Sequence, residues 1–453
     1  MSGGLSWSLR WRLSVLWILE WGITGAILTY LPLYFREHGL QGQIGELMAV
    51  GAAAGLWVAP FVVGQVCDRW MATEKYLAIA HFVGGLSLML IPVFTEMYVE
   101  NDRYYGALLV CVAVYSMAYF PTVPLASSLT FRHLSDPGKQ FGGVRIWGTV
   151  GWMLAGLGLS CWLGRTALYE WLVDTFPARG EFLAGLRTSF HWLPEPAKSD
   201  CFRIGAVLSF ALSSFCVFLP ATPPVREKRS GVAPLQTFAL FKDRTFSMLI
   251  GVSFLLATVV PLYSLAVPQL LAQLDFEDDW VPALMTIGQV SEFPALLLLP
   301  LCLRRVGLKM TFAIGMGAWF VRYAAFAMED PTWLILTAIG LHGICHVFLI
   351  IVIQLYIDSV CQKDVRASAQ NLFTFVTMGL AMPAGFLLGG GLANTFTNGG
   401  EVDFRIFFAV PATIVLTLLL VFLKWFHLDG KAHSGADDDP ELTPGTPARE
   451  GLL

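Results

Sequence analysis

Residues 407–423 read Phe-Phe-Ala-Val-Pro-Ala-Thr-Ile-Val-Leu-Thr-Leu-Leu-Leu-Val-Phe-Leu, without one charged side chain. Residues 107–126 read Ala-Leu-Leu-Val-Cys-Val-Ala-Val-Tyr-Ser-Met-Ala-Tyr-Phe-Pro-Thr-Val-Pro-Leu-Ala, equally uncharged. A helix needs about 20 apolar residues to cross the hydrocarbon core of a bilayer. In lipid every backbone amide must find its partner inside the chain, so only helices and closed barrels span. Barrel strands alternate apolar and polar residues, and these stretches do not. They are membrane-spanning helices.

Working outward from them, twelve such stretches fill the chain from Leu13 to Trp425, separated by polar loops. The sequence places spans at 13–35, 44–66, 76–98, 104–126, 141–164, 203–221, 245–270, 280–303, 309–328, 332–357, 368–393 and 405–426. The fold class is an all-α membrane protein. Hydrophobic residues make up 56% of the chain and charged ones 14%, against roughly 25% charged in soluble domains. A net charge of -4 gives no basic surface for nucleic acid. The eight cysteines lie mostly in or beside apolar spans and show no CxxC spacing, which argues against a metal site or a disulfide framework. The apolar stretch beginning at Leu13 is long and ends in Pro32-Leu33-Tyr34-Phe35. It reads as a retained first span rather than a signal peptide, whose apolar region is shorter and precedes small residues.

An even number of spans puts both termini on one side, and charge selects the side. With a cytoplasmic N-terminus, inside segments hold nineteen Lys and Arg and outside segments eight, five of those in the long 165–203 stretch. Cytoplasmic loops carry the excess of Lys and Arg, so both ends are expected in the cytoplasm. The chain divides into a cytoplasmic N-terminus (1–12), a six-helix bundle (13–221), a cytoplasmic linker (222–244), a second six-helix bundle (245–426) and a tail (427–453). The tail, with Asp437 to Asp439 and three prolines, lacks the apolar residues to bury a core. It is expected to be disordered. The loop between the fifth and sixth spans is long enough for a small cap outside the membrane.

Ionisable groups inside spans are costly and mark function by default. Glu20 lies mid-span between Trp17 and Trp21, Arg145 opens the fifth span, and Glu292 is central in the eighth. His342 and His346 share a face of the tenth span, four residues apart. Arg322 sits late in the ninth span, where a long side chain can snorkel to the interface. Arg145, Thr149 and Trp152 follow i, i+4, i+7 and give one face a cation, a hydroxyl and a ring. Gln289 and Glu292 pair an amide with a carboxylate. Such faces suit a polar solute with rings and hydroxyls. Carboxylates among apolar side chains can exchange protons near neutral pH, which makes Glu20 and Glu292 the proton-coupling candidates. The bland alternative is that buried Arg and Glu merely tie helices together. Pro121, Pro261, Pro268, Pro294 and Pro383 are read as kinks.

The two halves of six spans resemble the parallel repeats of the major facilitator superfamily. Gly64-Gln-Val-Cys-Asp68-Arg69 after the second span is similar to that superfamily's cytoplasmic signature. Arg304-Arg305-Val-Gly307-Leu-Lys309 sits at the matching place in the second half. The resemblance implies that Asp68, Arg69, Arg304 and Arg305 gate the cytoplasmic side; ordinary inside-positive loops are the alternative.

Within that superfamily the chain is similar to the bacterial nucleoside:proton symporter family. The match is carried by Ala118-Tyr119-Phe120-Pro121-Thr122, Arg145-Ile-Trp-Gly148-Thr149, Phe238-Ala-Leu-Phe241-Lys242, Gln289-Val-Ser-Glu292 and Arg366-Ala-Ser-Ala-Gln370. It runs in order over nearly all of residues 10–425. The resemblance implies proton-driven uptake of nucleosides across a bacterial inner membrane, with no cofactor beyond the proton. It implies a cavity lined by Arg145, Thr149, Gln289 and Glu292, with Trp152 at a position the family often gives an aromatic. Departures are local. The family's span 10 Asp is missing from His346-Val347-Phe348-Leu349, so His346 is the polar candidate there. A Gln and Asn pair of span 7 is replaced by Pro261 and Ser264, and Glu20 stands where the family is apolar. Partners are a nucleoside-like small molecule and the lipid bilayer, no nucleic acid, and the chain is expected to act as a monomer. The competing function is a permease or exporter of an unrelated solute such as a sugar derivative. An enzyme finds no nucleophile–base spacing or metal cluster in support.

Overall fold

The structure is a computed structural model and describes residues 5–67, 69–189, 192, 194–224, 244–360, 369–370 and 372–426. Asp68, most of the 222–244 linker, the motif at 238–242, most of the motif at 366–370 and the 427–453 tail lie outside the described residues. Among the described residues, eleven helical segments are long and apolar enough to cross a membrane. One of them, Asp278–Met328, is 51 residues long and folds back on itself at Gly307, whose φ of 75° and ψ of 172° are non-helical. Its arms are the eighth and ninth spans. A positive φ is cheap only for glycine, so Gly307 makes this sharp turn possible.

The first span packs on the fifth and sixth, the third on the fourth and sixth, the seventh on the eleventh and the ninth on the twelfth. The halves meet along two seams, second span against eleventh and fifth against eighth. Without a hydrophobic driving force in lipid, helices associate through close approach at small residues. Gly151 of the fifth span lies so near the first that an added Cβ would collide with the Ile18 carbonyl. Gly45 and Gly390 do the same at the second–eleventh seam, where a Cβ on Gly45 would stand 2.6 Å from the Gly390 Cα. Large apolar side chains such as Leu297, Val207 and Val217 point outward, the surface that a bilayer covers.

Several spans are interrupted. Span 4 breaks at Phe120-Pro121 between helices Tyr105–Tyr119 and Thr122–His133. Span 8 breaks at Ser291 between Val281–Val290 and the helix that starts at Glu292. Spans 2, 10 and 11 widen into π turns at Val62–Cys67, Val347–Ile351 and Phe375–Ala381, the last just before Pro383. Pro261 and Pro268 sit inside the helix Arg244–Gln273, which runs on past both and packs on the eleventh span. Two short helices, Arg165–Thr175 and Gly180–Ser189, fill the 165–203 loop and expose Trp171, Phe176 and Phe182.

Gly151→Leu is expected to abolish the first–fifth seam, because overpacking costs about 1–3 kcal/mol even where the backbone can relax. Gly158→Leu on the same span meets open space and should be tolerated. Monodispersity and thermal midpoint of the purified variants in detergent check the contrast.

Candidate functional site

Between the halves lies a cavity of about 1440 Å³. Trp21, Thr24, Tyr119 and Trp152 line it from the first half, and Ser264, Gln354 and Met382 from the second. It runs toward the end of the bundle that carries the termini, past Trp57, whose indole Nε1 donates to the Gly379 carbonyl at 2.8 Å. Of the residues singled out in the sequence, Trp152 stands on the wall itself. Its ring centroid is 6.1 Å from that of Trp21.

Arg145 stands one ring behind that wall. Its guanidinium lies 4.7 Å from the Trp17 ring and 4.5 Å from Trp21, a cation held by two indole faces. The family-like Arg-Ile-Trp-Gly run now has a steric reason. A Cβ on Gly148 would sit 2.7 Å from Arg145 Nη1 and 2.8 Å from Trp21 Cδ1, so only glycine leaves room for both side chains. Thr149 is half-buried one turn further on.

The second half brings Glu292 and its neighbours to the same region. The hydroxyl of Ser291 accepts from Gly343 N at 2.8 Å, which pins the break of span 8 to span 10. Gly343 is required there, since a Cβ would strike the Ser291 carbonyl. That contact sets His342 Nε2 3.7 Å from Glu292 Oε1. His342 Nδ1 lies 3.1 Å from Arg322 Nη1, and the His342 ring stacks on both Tyr263 and His346. His346 itself stays accessible. The charge of Arg145 is felt at both Glu292 and His346, although among the described residues no ion pair joins Arg145 to Glu292. Among the described residues, five buried polar atoms in this region have no hydrogen-bond partner: Trp21 Nε1, Trp152 Nε1, Gln289 Oε1 and Arg322 Nε and Nη2. Buried polar groups are normally paired, so these atoms hold unused hydrogen-bonding capacity beside the cavity.

Two placements differ from the sequence reading. Arg322 does not snorkel. It is fully buried, 3.7 Å from the Tyr263 ring centroid, because its face of the ninth span turns inward to spans 7 and 10. Glu20 is not on the cavity wall. Its carboxylate is fully buried, with His81 Nε2 3.0 Å from Oε2 and the Thr122 hydroxyl donating to Oε1. His81 and Thr122 come from spans 3 and 4, and a lone histidine in an apolar span was the sequence signal for this contact.

The gating candidates Arg69, Arg304 and Arg305 are exposed, and among the described residues they form no ion pair. The opposite end of the bundle is shut instead. Lys198 Nζ lies 3.2 Å from Glu37 and 3.1 Å from Asp278, and Arg36 lies 3.6 Å from Asp278. Asp278 belongs to the second half and the other three to the first. The Ser160 hydroxyl accepts from Ala283 N at 3.0 Å, and the Asn394 amide donates to the Gly42 carbonyl at 3.0 Å. Burial works against the Lys198 charge, yet the bond to Asp278 and the carboxylates of Asp278 and Glu37 hold its pKa above the usual lysine value. A raised lysine pKa means that this contribution to closure is complete below the free lysine value, and it fades only as pH rises through the higher one.

Two helical bundles that enclose a central cavity, closed at one end by pairs that can break, are the architecture of a secondary active transporter. The family described as nucleoside H+ symporter matches residues 7–173 and 195–431. The chain belongs to that family: it is a proton-coupled nucleoside transporter of the membrane. Nucleoside permease NupG of Escherichia coli is 26% identical over 442 residues, covering 92% of this chain and 96% of that protein. The xanthosine permease of Escherichia coli is 25% identical, covering the same shares. A crystal structure of nucleoside transporter NupG superposes with a TM-score of 0.75 over 93% of this chain and 100% of that one, at 23% identity.

Two measurements follow from this geometry. Arg145→Lys keeps the charge but loses the planar group that stacks between two indoles, and is expected to weaken ligand binding by about tenfold with folding retained, as read by calorimetric titration. Lys198→Ala removes both of its ion pairs and should raise labelling of a cysteine at Ser264 from the far side, in a cysteine-free background. Surface pairs contribute roughly 0.2–1 kcal/mol each, so about a threefold change is expected. Between neutral pH and about pH 9 the ratio of labelling in Lys198→Ala to that in the Lys198 background should not change, since Lys198 stays charged and the rise in cysteine thiolate affects both alike.

Proposed function

We propose that the chain takes nucleosides into the cell by alternating access, with protons moving in the same direction. The single observation that carries this reading is the Trp21–Trp152 pair at the cavity wall, with the Arg145 guanidinium stacked on Trp21. A nucleobase is a flat, polar ring that aromatic side chains accept by stacking. Ribose hydroxyls and base carbonyls supply acceptors for the unpartnered indole N–H groups and donors for Gln289. In this reading Arg145, Thr149, Trp152, Gln289, Glu292 and His346 contact the substrate as it moves between the halves. Ser264 lines the cavity wall but donates its hydroxyl within span 7 to the Pro261 carbonyl at 3.0 Å, so span 7 contributes little hydrogen bonding and the aromatic pair more.

The charge distribution favours both termini in the cytoplasm, within a bacterial inner membrane. The described conformation is then closed outward and open inward, with Arg69, Arg304 and Arg305 released from a latch that would form when the cytoplasmic end closes. One chain carries the whole cavity, which supports a functional monomer. Glu292, half-buried beside His342 and sensed by Arg145, is a proton-coupling carboxylate that substrate can reach.

Uptake of radiolabelled uridine and adenosine by cells lacking their own nucleoside transporters tests the reading. Accumulation above background is expected, abolished by an uncoupler and competed by unlabelled nucleosides. Free ribose, xylose and free nucleobases should compete at least about tenfold less well, since each lacks either the ring or the hydroxyls the cavity engages. Competition by a sugar derivative without nucleoside uptake would overturn the assignment.

A further inference from the structure

A fully buried polar cluster outside the cavity lies in the first half. Glu20 and His81 are buried to 0% and 1% exposure, and spans 1, 3 and 4 converge on them. Neither side chain touches the cavity. We infer that Glu20, with His81 and Thr122, forms a proton-exchange site within the N-terminal bundle, separate from Glu292. The inference rests on the proton-coupled transport reading and deepens it.

The argument is one of hydrogen-bond bookkeeping in two protonation states. The Thr122 hydroxyl lies at hydrogen-bonding distance from both Glu20 Oε1 and the Tyr119 carbonyl. A hydroxyl has one proton to give and lone pairs to accept with. With Glu20 ionised, Thr122 donates to Oε1. With Glu20 protonated on Oε1, the carboxyl donates to Thr122, and Thr122 turns its own proton to the Tyr119 carbonyl. His81 Nε2, 3.0 Å from Oε2, donates in either case. Both states therefore keep the two bonds to the Glu20 carboxyl, and the protonated state adds the one to the Tyr119 carbonyl, a property that a purely structural knot does not need. The carbonyl that makes this possible ends the helix Tyr105–Tyr119, where span 4 breaks at Pro121, and terminal carbonyls have no partner within their helix.

The site is one side-chain layer from the cavity. Tyr119 donates to the backbone carbonyl of Glu20 at 2.7 Å. Its only proton is thereby used, so Thr24 is the donor in the short bond between the two hydroxyls. Tyr119 and Thr24 both line the cavity. Movement of the first span against the break in the fourth opens this layer to water, and a proton passes from water to the carboxylate. No other bond forms or breaks.

The groups facing Glu20 define what its charge does. They are His81 of span 3, Tyr115 and Tyr119 of span 4, Arg145 of span 5 and Cys216 at the end of span 6. Arg145 is the cation among them. It stacks on Trp17 and Trp21, which flank Glu20 on the same helix. An ionised Glu20 holds part of the field of Arg145, and a protonated one releases it toward the cavity and Glu292. Proton occupancy and substrate affinity are thus linked through one guanidinium, and such linkage is reciprocal.

The test uses full-length protein in proteoliposomes. Glu20→Gln preserves the amide's ability to accept from His81 and donate to Thr122 but cannot exchange a proton. Expected are counterflow of uridine at symmetric pH within about threefold of wild type, and at least a tenfold loss of pH-gradient-driven accumulation and of uridine-driven proton entry. Infrared difference spectra give a readout that needs no substrate: a pH-dependent carboxyl C=O band present in wild type and absent in Glu20→Gln. Glu20→Asp, which keeps the acid on a shorter stem, should move that band, and serves if the glutamine variant does not fold. Wild-type accumulation in Glu20→Gln, or a set of titrating bands unchanged in both variants, overturns the proposal. A Glu20-dependent band in a protein that moves no nucleoside overturns the substrate assignment and leaves the proton site standing.

Discussion

A charge inside a bilayer-spanning bundle has no bulk water to lean on, and the arrangement of this protein follows from how four such charges are accommodated. Desolvating an ion costs several kcal/mol unless partners replace the water. Arg145 uses two indole faces, Arg322 a tyrosine ring and an imidazole, Glu20 an imidazole and a hydroxyl. Glu292 is left half-buried, with its nearest basic group 3.7 Å away. Each solution draws side chains from at least two spans, so the charges dictate which helices must stay in register. Glu292 is the one whose environment is least complete, and completeness is what a substrate or a proton can add.

The same economy of space governs the seams. Within the first half, span 5 presses on span 1 through Gly151, and between the halves span 2 meets span 11 through Gly45 and Gly390. Contacts of this kind carry few side-chain interlocks, so one element can rock on another without unpacking a core. The end of the bundle far from the termini adds three ion pairs and two side chain–backbone hydrogen bonds across or beside the seam. These are partly solvated and individually weak, which suits a closure that must reopen in every cycle. The cavity is in contrast lined mainly by aliphatic and aromatic side chains, and the break of span 8 nearby is pinned to span 10 by Ser291 and Gly343.

The second half holds a stacked column of Tyr263, His342 and His346 against buried Arg322. It sets a buried cation among aromatic rings. The first half buries a carboxylate at Glu20 beside His81 and Thr122. Charges of opposite sign are thus held in the two halves by the same means, ring and hydroxyl partners drawn from neighbouring spans.

The membrane class, the helical spans and the family were legible in the chain itself, because the length of an apolar run and the order of local motifs are one-dimensional properties. The pairing of Arg145 with Trp152, and of Gln289 with Glu292, was legible for the same reason, since each pair repeats at helical spacing. What a charged residue touches is not one-dimensional. Glu20 was visible as a buried carboxylate, but His81 and Thr122 lie 61 and 102 positions away, and no spacing along one helix links them. Arg322 was read toward the interface, and only the rotation of the ninth span against Tyr263 and His342 turned it inward. The sequence by itself determined which residues enter the membrane and on which helix face they lie. The tertiary structure alone decided which of those faces meet, because helix rotation and seam geometry are set by the packing of small residues between spans distant in the chain.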